Sequence, residues 1–309
     1  MNILVITGGL SSERKISFMS ARNVALGLKQ NGYKVKLYDL KLGYAKISSL
    51  IKDFDVIFPV LHGEEGEGGK LHKFLVKFNK PIVGSSNFKG FRNSWFKVSF
   101  KKFCDRNNIL TPKWKVVKNQ VQVRKFGFPL VLKSSSGGSS REVLIIKSAK
   151  DFKVNLLKRL LRPSMPVFAE KFMQGTEITV GILDNKALPI IKIVPPIGEW
   201  FSYKNKYSSQ TKEIVDPMDI NQSTKQKLQK IALDIHQKFN LGSYSRIDFI
   251  LSNKTPFVLE VNTIPGLTKE SLLPKMAKAK GIEFKDFVNL LVKMSLRDFR
   301  KRPMLKLTN

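Results

Sequence analysis

Apolar and polar positions divide the first third of the chain into short segments. N-I-L-V-I-T (2–7) holds an apolar run, Ile3–Ile6, between Asn2 and Thr7, K-V-K-L-Y-D (34–39) alternates over its first four residues, and D-V-I-F-P-V-L (55–61) is apolar after Asp55. Each reads as a β-strand. Residues 15–31, stopped by Gly32, read as the helix between the first two. A helix around 70–79 leads into P-I-V-G-S (81–85), a short fourth strand. Strand–helix alternation of this kind predicts a parallel sheet with helices on its faces, an α/β unit over residues 1–88.

The pattern then changes. A helix over 92–107 precedes W-K-V-V (114–117), F-P-L-V-L-K (128–133), V-L-I-I (143–146) and V-F-A-E-K-F (167–172), a strand-rich block over 89–172. A third block, 173–309, opens with strands E-I-T-V-G-I-L and P-I-I-K-I-V. Next come a loop over 195–214 long enough to act as a lid, a helix over 222–239, two strands within 246–262 and a helix over 284–296. The last dozen residues are basic and are expected to fray.

Composition changes this picture little. Apolar residues make up 42% of the 309, enough for several cores, and no apolar run approaches the ~18–20 residues a membrane span needs. One cysteine, Cys104, excludes an internal disulfide framework and suits a reducing cytoplasm, and its expected role is packing. Three histidines far apart make a zinc site a poor reading; His72 and His236 are expected on helix surfaces. The net charge of +31 raises nucleic-acid binding, but the lysines are spread through every segment and no nucleic-acid motif frames them. Neither a nucleic-acid nor a membrane partner is expected. A general pull on anionic small molecules is the milder consequence.

Candidate chemistry is densest in two strands. S-R-I-D-F-I-L (245–251) and F-V-L-E-V-N (257–262) each carry polar residues two apart, and spacing of two puts them on one strand face. If the turn formers S-N-K-T-P (252–256) join them as a hairpin pairing Leu251 with Phe257, then Asp248 lies opposite Glu260 and Arg246 opposite Asn262. In that register Leu259 belongs to the apolar side. Like charges directly across a ladder are destabilising. A cation between them would relieve this, and two carboxylates with an amide suit Mg²⁺; a solvated strand face is the alternative. Elsewhere, K-S-S-S-G-G-S-S (133–140) could turn backbone N–H groups toward phosphate, although it is neither a P-loop nor a dinucleotide fingerprint. F-A-E-K-F-M-Q-G-T-E (168–177) could offer a strand edge to a heterocycle, with Glu170 and Glu177 as acceptors.

Taken in order, G-G-L-S-S-E-R-K-I-S (8–17), L-H-G-E-E-G-E-G-G (61–69), the serine-glycine loop, E-K-F-M-Q-G-T-E, K-Y-S (206–208), S-R-I-D and L-E-V-N-T-I-P-G-L-T-K-E-S-L-L-P resemble the motifs of the D-alanine–D-alanine ligases of the ATP-grasp superfamily. The resemblance covers nearly the whole chain. It implies an ATP-grasp fold of two α+β lobes, 89–172 and 173–309, behind the N-terminal domain. It also implies ATP-dependent joining of two D-alanines for peptidoglycan precursors, in a cytoplasmic homodimer. Carried over residue by residue, Glu13 and His62 would bind the first D-alanine, and Ser271 with Leu272 the carboxylate of the second. Lys97, Lys133, Glu170, Lys171, Phe172, Met173, Glu177 and Lys206 would hold ATP. Asp248, Glu260 and Asn262 would ligate two Mg²⁺ ions, with Mn²⁺ an alternative. Arg246 and the Gly266 amide would stabilise oxyanion charge. Ser139 and Tyr207 would join Glu13 in a network closing the lid, and Tyr207 favours D-alanine as second substrate. The chain departs from the family pattern at Gly68, Phe96 before Lys97, Ser134, Gly137 (usually glutamate) and Arg141-Glu142 (usually a small apolar pair). These departures put grip on phosphate and helix packing in doubt.

Overall fold

The computed structural model describes residues 1–138, 142–161, 165–197, 205 and 210–301. In chain order its principal elements are β1 (Asn2–Thr7), α1 (Arg14–Gln30), β2 (Lys34–Asp39), α2 (Tyr44–Leu50), β3 (Val56–Pro59), α3 (Glu64–Glu67), α4 (Lys70–Leu75), α5 (Phe88–Trp95), α6 (Lys97–Arg106), β4 (Trp114–Val117), α7 (Gln120–Phe126), β5 (Leu130–Ser134), β6 (Val143–Ile146) and α8 (Val154–Leu160). There follow β7 (Val167–Lys171), β8 (Thr176–Leu183), β9 (Lys186–Ala187), β10 (Ile191–Val194), β11 (Lys212–Val215), α9 (Gln222–Phe239), β12 (Tyr244–Ser252), β13 (Thr255–Asn262), α10 (Leu272–Lys278) and α11 (Phe284–Arg300).

Among the described residues, three sheets carry the architecture. The first is parallel, in the order β2-β1-β3. The expected fourth strand is reduced to a single bridge between Ile57 and Ile82. The second, β4-β7-β5-β6, and the third, β11-β10-β8-β12-β13 with β9 on β8, are antiparallel. The expected mixture of parallel α/β and antiparallel α+β parts is therefore present. The end of the anticipated lid loop, residues 212–214, instead opens the edge strand Lys212–Val215, paired with β10.

Period-two alternation decides which sheet faces become cavity. Leu130 and Leu132 of β5 enter a core with Val123, Phe152 and Leu157, while Val131 and Lys133 between them face a cleft. On β12, Ile247 and Phe249 are buried beneath α9, and Asp248 and Ile250 face the same cleft. Helix α1 buries Ala21, Val24, Ala25 and Leu28, and past its C-cap Asn31 the chain turns at Gly32, whose φ of +79° glycine adopts without strain. Its Gly27 lies so close to α11 that a Cβ there would stand 2.8 Å from Val288 Cγ2. Phe287, Val288, Leu291 and Val292 of α11 thereby share one core with Ile3, Val5, Val56 and Phe58 of the first sheet.

The helix expected over 92–107 is two helices broken at Phe96, whose ψ of 107° is extended. The amide of Lys97 donates to the Ser135 carbonyl (2.8 Å) and that of Val98 to Ser135 Oγ (3.3 Å). Phe96 makes no side-chain cap, so the serine-glycine loop caps α6 from outside. The histidine expectations fail as well. His72 is buried against the Phe91 ring, 4.1 Å between centroids. His236 is buried with Nδ1 at 2.7 Å from Ser245 Oγ and Nε2 donating to the Gly242 carbonyl at 3.1 Å. Burial lowers both imidazoles to about 4. Cys104 is buried as expected, and burial pushes its thiol up to about 12.

Candidate active site

The hairpin that carries the acids has a tighter turn than the sequence suggested. Asn253 and Lys254, with φ of +47° and +62°, make a two-residue turn, so Ser252 pairs with Thr255 and Leu251 with Pro256 rather than Phe257. From that end the count is one residue out of step with the expected register. A β-bulge between the Asp248 and Phe249 pairings absorbs the difference, and beyond it Asp248 meets Glu260, Ile247 meets Val261 and Arg246 meets Asn262, as expected. Leu259 is the unpaired residue. Val258 therefore joins the core beside Phe249, while Leu259 and Glu260, neighbours in sequence, both line the cleft.

Asp248 and Glu260 do not face each other without relief. Asp248 accepts from Arg246 Nε and Nη2 (both 2.9 Å), Asn262 Nδ2 (2.9 Å) and Thr179 Oγ1 (2.7 Å). Lys97 Nζ lies 3.2 Å from Glu260 Oε2 and donates to the Gly137 carbonyl at 2.8 Å. Burial disfavours the Arg246 charge, but Asp248, then Glu260 and Glu67, hold its pKa above the usual arginine value. Among the described residues no cluster of three or more His, Cys, Asp and Glu stands ready for a metal. The set here is two carboxylates and one amide. With Asn262 Nδ2 turned to Asp248, its Oδ1 remains as a third oxygen donor on the same face, a chemistry that fits a hard divalent cation.

Two adjoining cavities meet at this face, and Lys97, Gly137, Gly138 and Glu260 line both. The first lies between the second and third sheets and brings together Lys133, Glu170, Lys171, Phe172, Met173, Glu177 and Asp248. Val131, Ile145, Ile250 and Leu259 give it apolar walls suited to a flat ring. Glu170 is not simply a waiting acceptor. Its carboxylate is buried, with Lys133 Nζ at 2.5 Å from one oxygen and Lys101 on the other.

The second cavity gathers Glu13, His62, Arg246, Asn262, Gly266, Ser271 and Leu272. His62 donates its amide to Ser17 Oγ (3.0 Å), and its Nε2 lies 3.4 Å from Ser20 Oγ, which accepts from the Leu267 amide. Helix α1 thus braces both the histidine and the loop after β13. Burial lowers the His62 imidazole despite the neighbouring Glu13. Ser271 stands at the N-cap of α10, its Oγ accepting from the Thr268 amide at 3.1 Å. At Gly266 a Cβ would come 2.8 Å from Ser271 Oγ. Ser139, Lys206 and Tyr207 lie outside the described residues.

Four residues in or behind the cavities were missed from the sequence. Thr179 and Leu259 depend on strand register, and Lys101 on a partner far along the chain. Glu67 lies within a quoted motif, accepts from the Gly63 amide (2.8 Å) and lines the second cavity. Burial, then the Glu13 charge, raises its carboxyl well above the ordinary range.

Residues 98–293 match the family model described as D-ala D-ala ligase C-terminus. The chain is 32% identical over 301 residues to the D-alanine–D-alanine ligase of Maridesulfovibrio salexigens, covering 96% of this chain and 99% of that one. It is 34% identical to the Bacillus anthracis enzyme of the same name, covering 96% and 98%. The crystal structure of the Bacillus anthracis ligase complexed with ATP superposes with a TM-score of 0.84 at 32% identity, over 97% of this chain and 99% of that one. On these grounds the chain belongs to the D-alanine–D-alanine ligase family.

Proposed function

We propose that this protein uses ATP to join two D-alanines into D-alanyl-D-alanine, a precursor of peptidoglycan, and that the two adjoining cavities divide the work. The observation that carries the division is Glu260, which borders both cavities while its ladder partner Asp248 faces the first. In this reading the first cavity holds the nucleotide, its ring between Ile250, Leu259 and Val131 and its phosphates toward Lys97 and Lys133. The second holds the amino acids. Glu13 and His62 bind the ammonium end of the first D-alanine, and Ser271 with Leu272 holds the carboxylate of the second at the start of α10. Asp248, Glu260 and Asn262 would hold Mg²⁺ or Mn²⁺, two ions by family likeness. Bound there, the metal would neutralise charge on the transferring phosphoryl group.

The first D-alanine carboxylate attacks the γ-phosphate, giving an acyl phosphate and ADP. The amine of the second then attacks the acyl carbon, phosphate leaves with the C–O electron pair, and the proton lost by the attacking nitrogen passes to the departing phosphate. Arg246 and the Gly266 amide face the oxygen that gains charge in this step. Lys206, Tyr207 and Ser139 complete the proposal as the lid group. Residues 1–88, 89–172 and 173–309 are proposed as the three domains, one per sheet. Family likeness supports a homodimer and a cytoplasmic location. No helix among the described residues is long and apolar enough to cross a membrane.

A coupled ADP-release assay tests the reading. ADP should appear only when ATP, Mg²⁺ and D-alanine are present together, with D-alanyl-D-alanine formed in equal amount. ADP release indifferent to D-alanine would refute it.

A further inference from the structure

Lys101 is 1% exposed, on the face of α6 one turn beyond Lys97. Its ammonium contacts Glu170 and Thr111 Oγ1 and lies 3.4 Å from the Val258 carbonyl, which also accepts from Thr111 Oγ1 at 2.8 Å. The other Glu170 oxygen receives Lys133 Nζ at 2.5 Å. Glu170 and Lys133 line the first cavity, whereas Lys101 stands behind them. Helix α6 thus sends two ammonium groups at i and i+4 into the site, Lys97 to Glu260 and Lys101 to Glu170.

Burying a charge is costly unless it is paired, so an ammonium this deeply buried needs a reason beyond solubility. The charge count supplies one. Glu170 and Lys133 alone would be a neutral pair, the lysine's charge spent on its neighbour. With Lys101 behind the carboxylate the group carries one net positive charge, on the side that faces the cavity. The shifts follow the same division. Burial alone would raise the Glu170 carboxyl, but Lys101 and Lys133 together hold it below its ordinary value. Burial lowers the Lys101 ammonium, Glu170 opposing it, and Lys133 is raised by Glu170 against its own burial.

We infer that Lys101 is a positioning residue for the nucleotide: by holding Glu170 from behind, it leaves the charge of Lys133 available to an anionic ligand. The inference rests on the reading of the first cavity as the nucleotide site. It separates Lys101 from a merely structural lysine, because its effect must pass through the Glu170 carboxylate.

The test is a cycle of four proteins, parent, Lys101→Met, Glu170→Gln and the double variant, with ATP binding measured by calorimetry and KM and kcat by ADP release. Lys101→Met should weaken ATP binding and raise its KM by about 10- to 100-fold, the scale of a charge-assisted buried contact, with a smaller change in kcat and none in the KM for D-alanine. Lys101→Arg should recover most of the loss. In the Glu170→Gln background the same Lys101→Met change should alter ATP binding by less than about threefold, since no carboxylate remains to claim Lys133. Should Lys101→Met alone fold poorly, the double variant removes both buried charges together, and its comparison with Glu170→Gln decides. An equal effect of Lys101→Met in both backgrounds, or none in either, overturns the inference while leaving the cavity assignment intact. A parent protein that binds no ATP overturns both.

Discussion

Stability in mild acid should be set largely by two histidines that the chain buries neutral. His236 lies under the strand bearing Arg246, and His72 under Phe91. Burial holds each at a folded-state pKa of about 4, against about 6.5 for a freely hydrated imidazole. Below about pH 6.5 the unfolded chain takes up protons that the fold refuses, so stability falls as the pH drops toward about 4. Applying linkage to these values gives a loss of about 2 kcal/mol per histidine between about pH 7.5 and about pH 5, about 4 kcal/mol for the pair. His62, also lowered, adds a loss of the same sign. Glu67 acts oppositely: its raised carboxyl keeps a proton in the fold, so its contribution grows as the pH falls through that raised value. Both cancel when parent and variant are compared at the same pH. The assay is urea unfolding of parent, His72→Gln, His236→Gln and the double variant at the two pH values. Each single variant should lose about 2 kcal/mol less than the parent on acidification, and the double variant about 4 kcal/mol less. Equal acid losses in all four proteins would refute the argument, since they would mean that both rings are hydrated and titrate alike in the folded and unfolded chain.

Two further outcomes are expected. Glu260→Gln keeps the shape of the side chain but removes one charge from the shared edge of the two cavities. Turnover should fall by at least about a hundredfold with the thermal melt little changed, and near-normal turnover would sink the metal assignment. Gly137→Ala places a Cβ 2.5 Å from Glu142 Oε2 at a φ of +112°. The strain of about 1–3 kcal/mol should appear as a raised KM for ATP, because the Gly137 carbonyl receives Lys97; an unchanged KM would show that the loop adapts freely.

The acid pair was legible because it depends only on the period of a strand: Arg246 and Asp248, like Glu260 and Asn262, are two apart whatever surrounds them. The bulge at Leu259 was not legible. It follows from a turn one step tighter than the run S-N-K-T-P suggested, and nothing in the apolar identity of Leu259 tells core from cleft. The break at Phe96 was hidden for another reason, since its cause is Ser135, nearly forty positions later, taking the amides of Lys97 and Val98. His72 and His236 looked like surface residues because a polar side chain in a helix usually is one; their cover comes from Phe91, Ser245 and Gly242. Lys101 was lost among the many lysines, for only its meeting with Glu170 distinguishes it. The short helices Tyr44–Leu50, Gln120–Phe126 and Val154–Leu160 carry too few turns for a clear apolar period.

The packing of α1 against α11 bears on how the polypeptide acquires its shape during synthesis. Ile3, Val5, Val56 and Phe58 complete their enclosure only when Phe287, Val288 and Leu291 arrive. A ribosome that has made the first hundred residues therefore presents a sheet whose oily side is only partly covered, by α1. That surface stays open to chaperones, or to another unfinished copy, until the stretch beginning at Phe284 emerges. Any truncation upstream of that point should leave the opening third sticky rather than independently soluble.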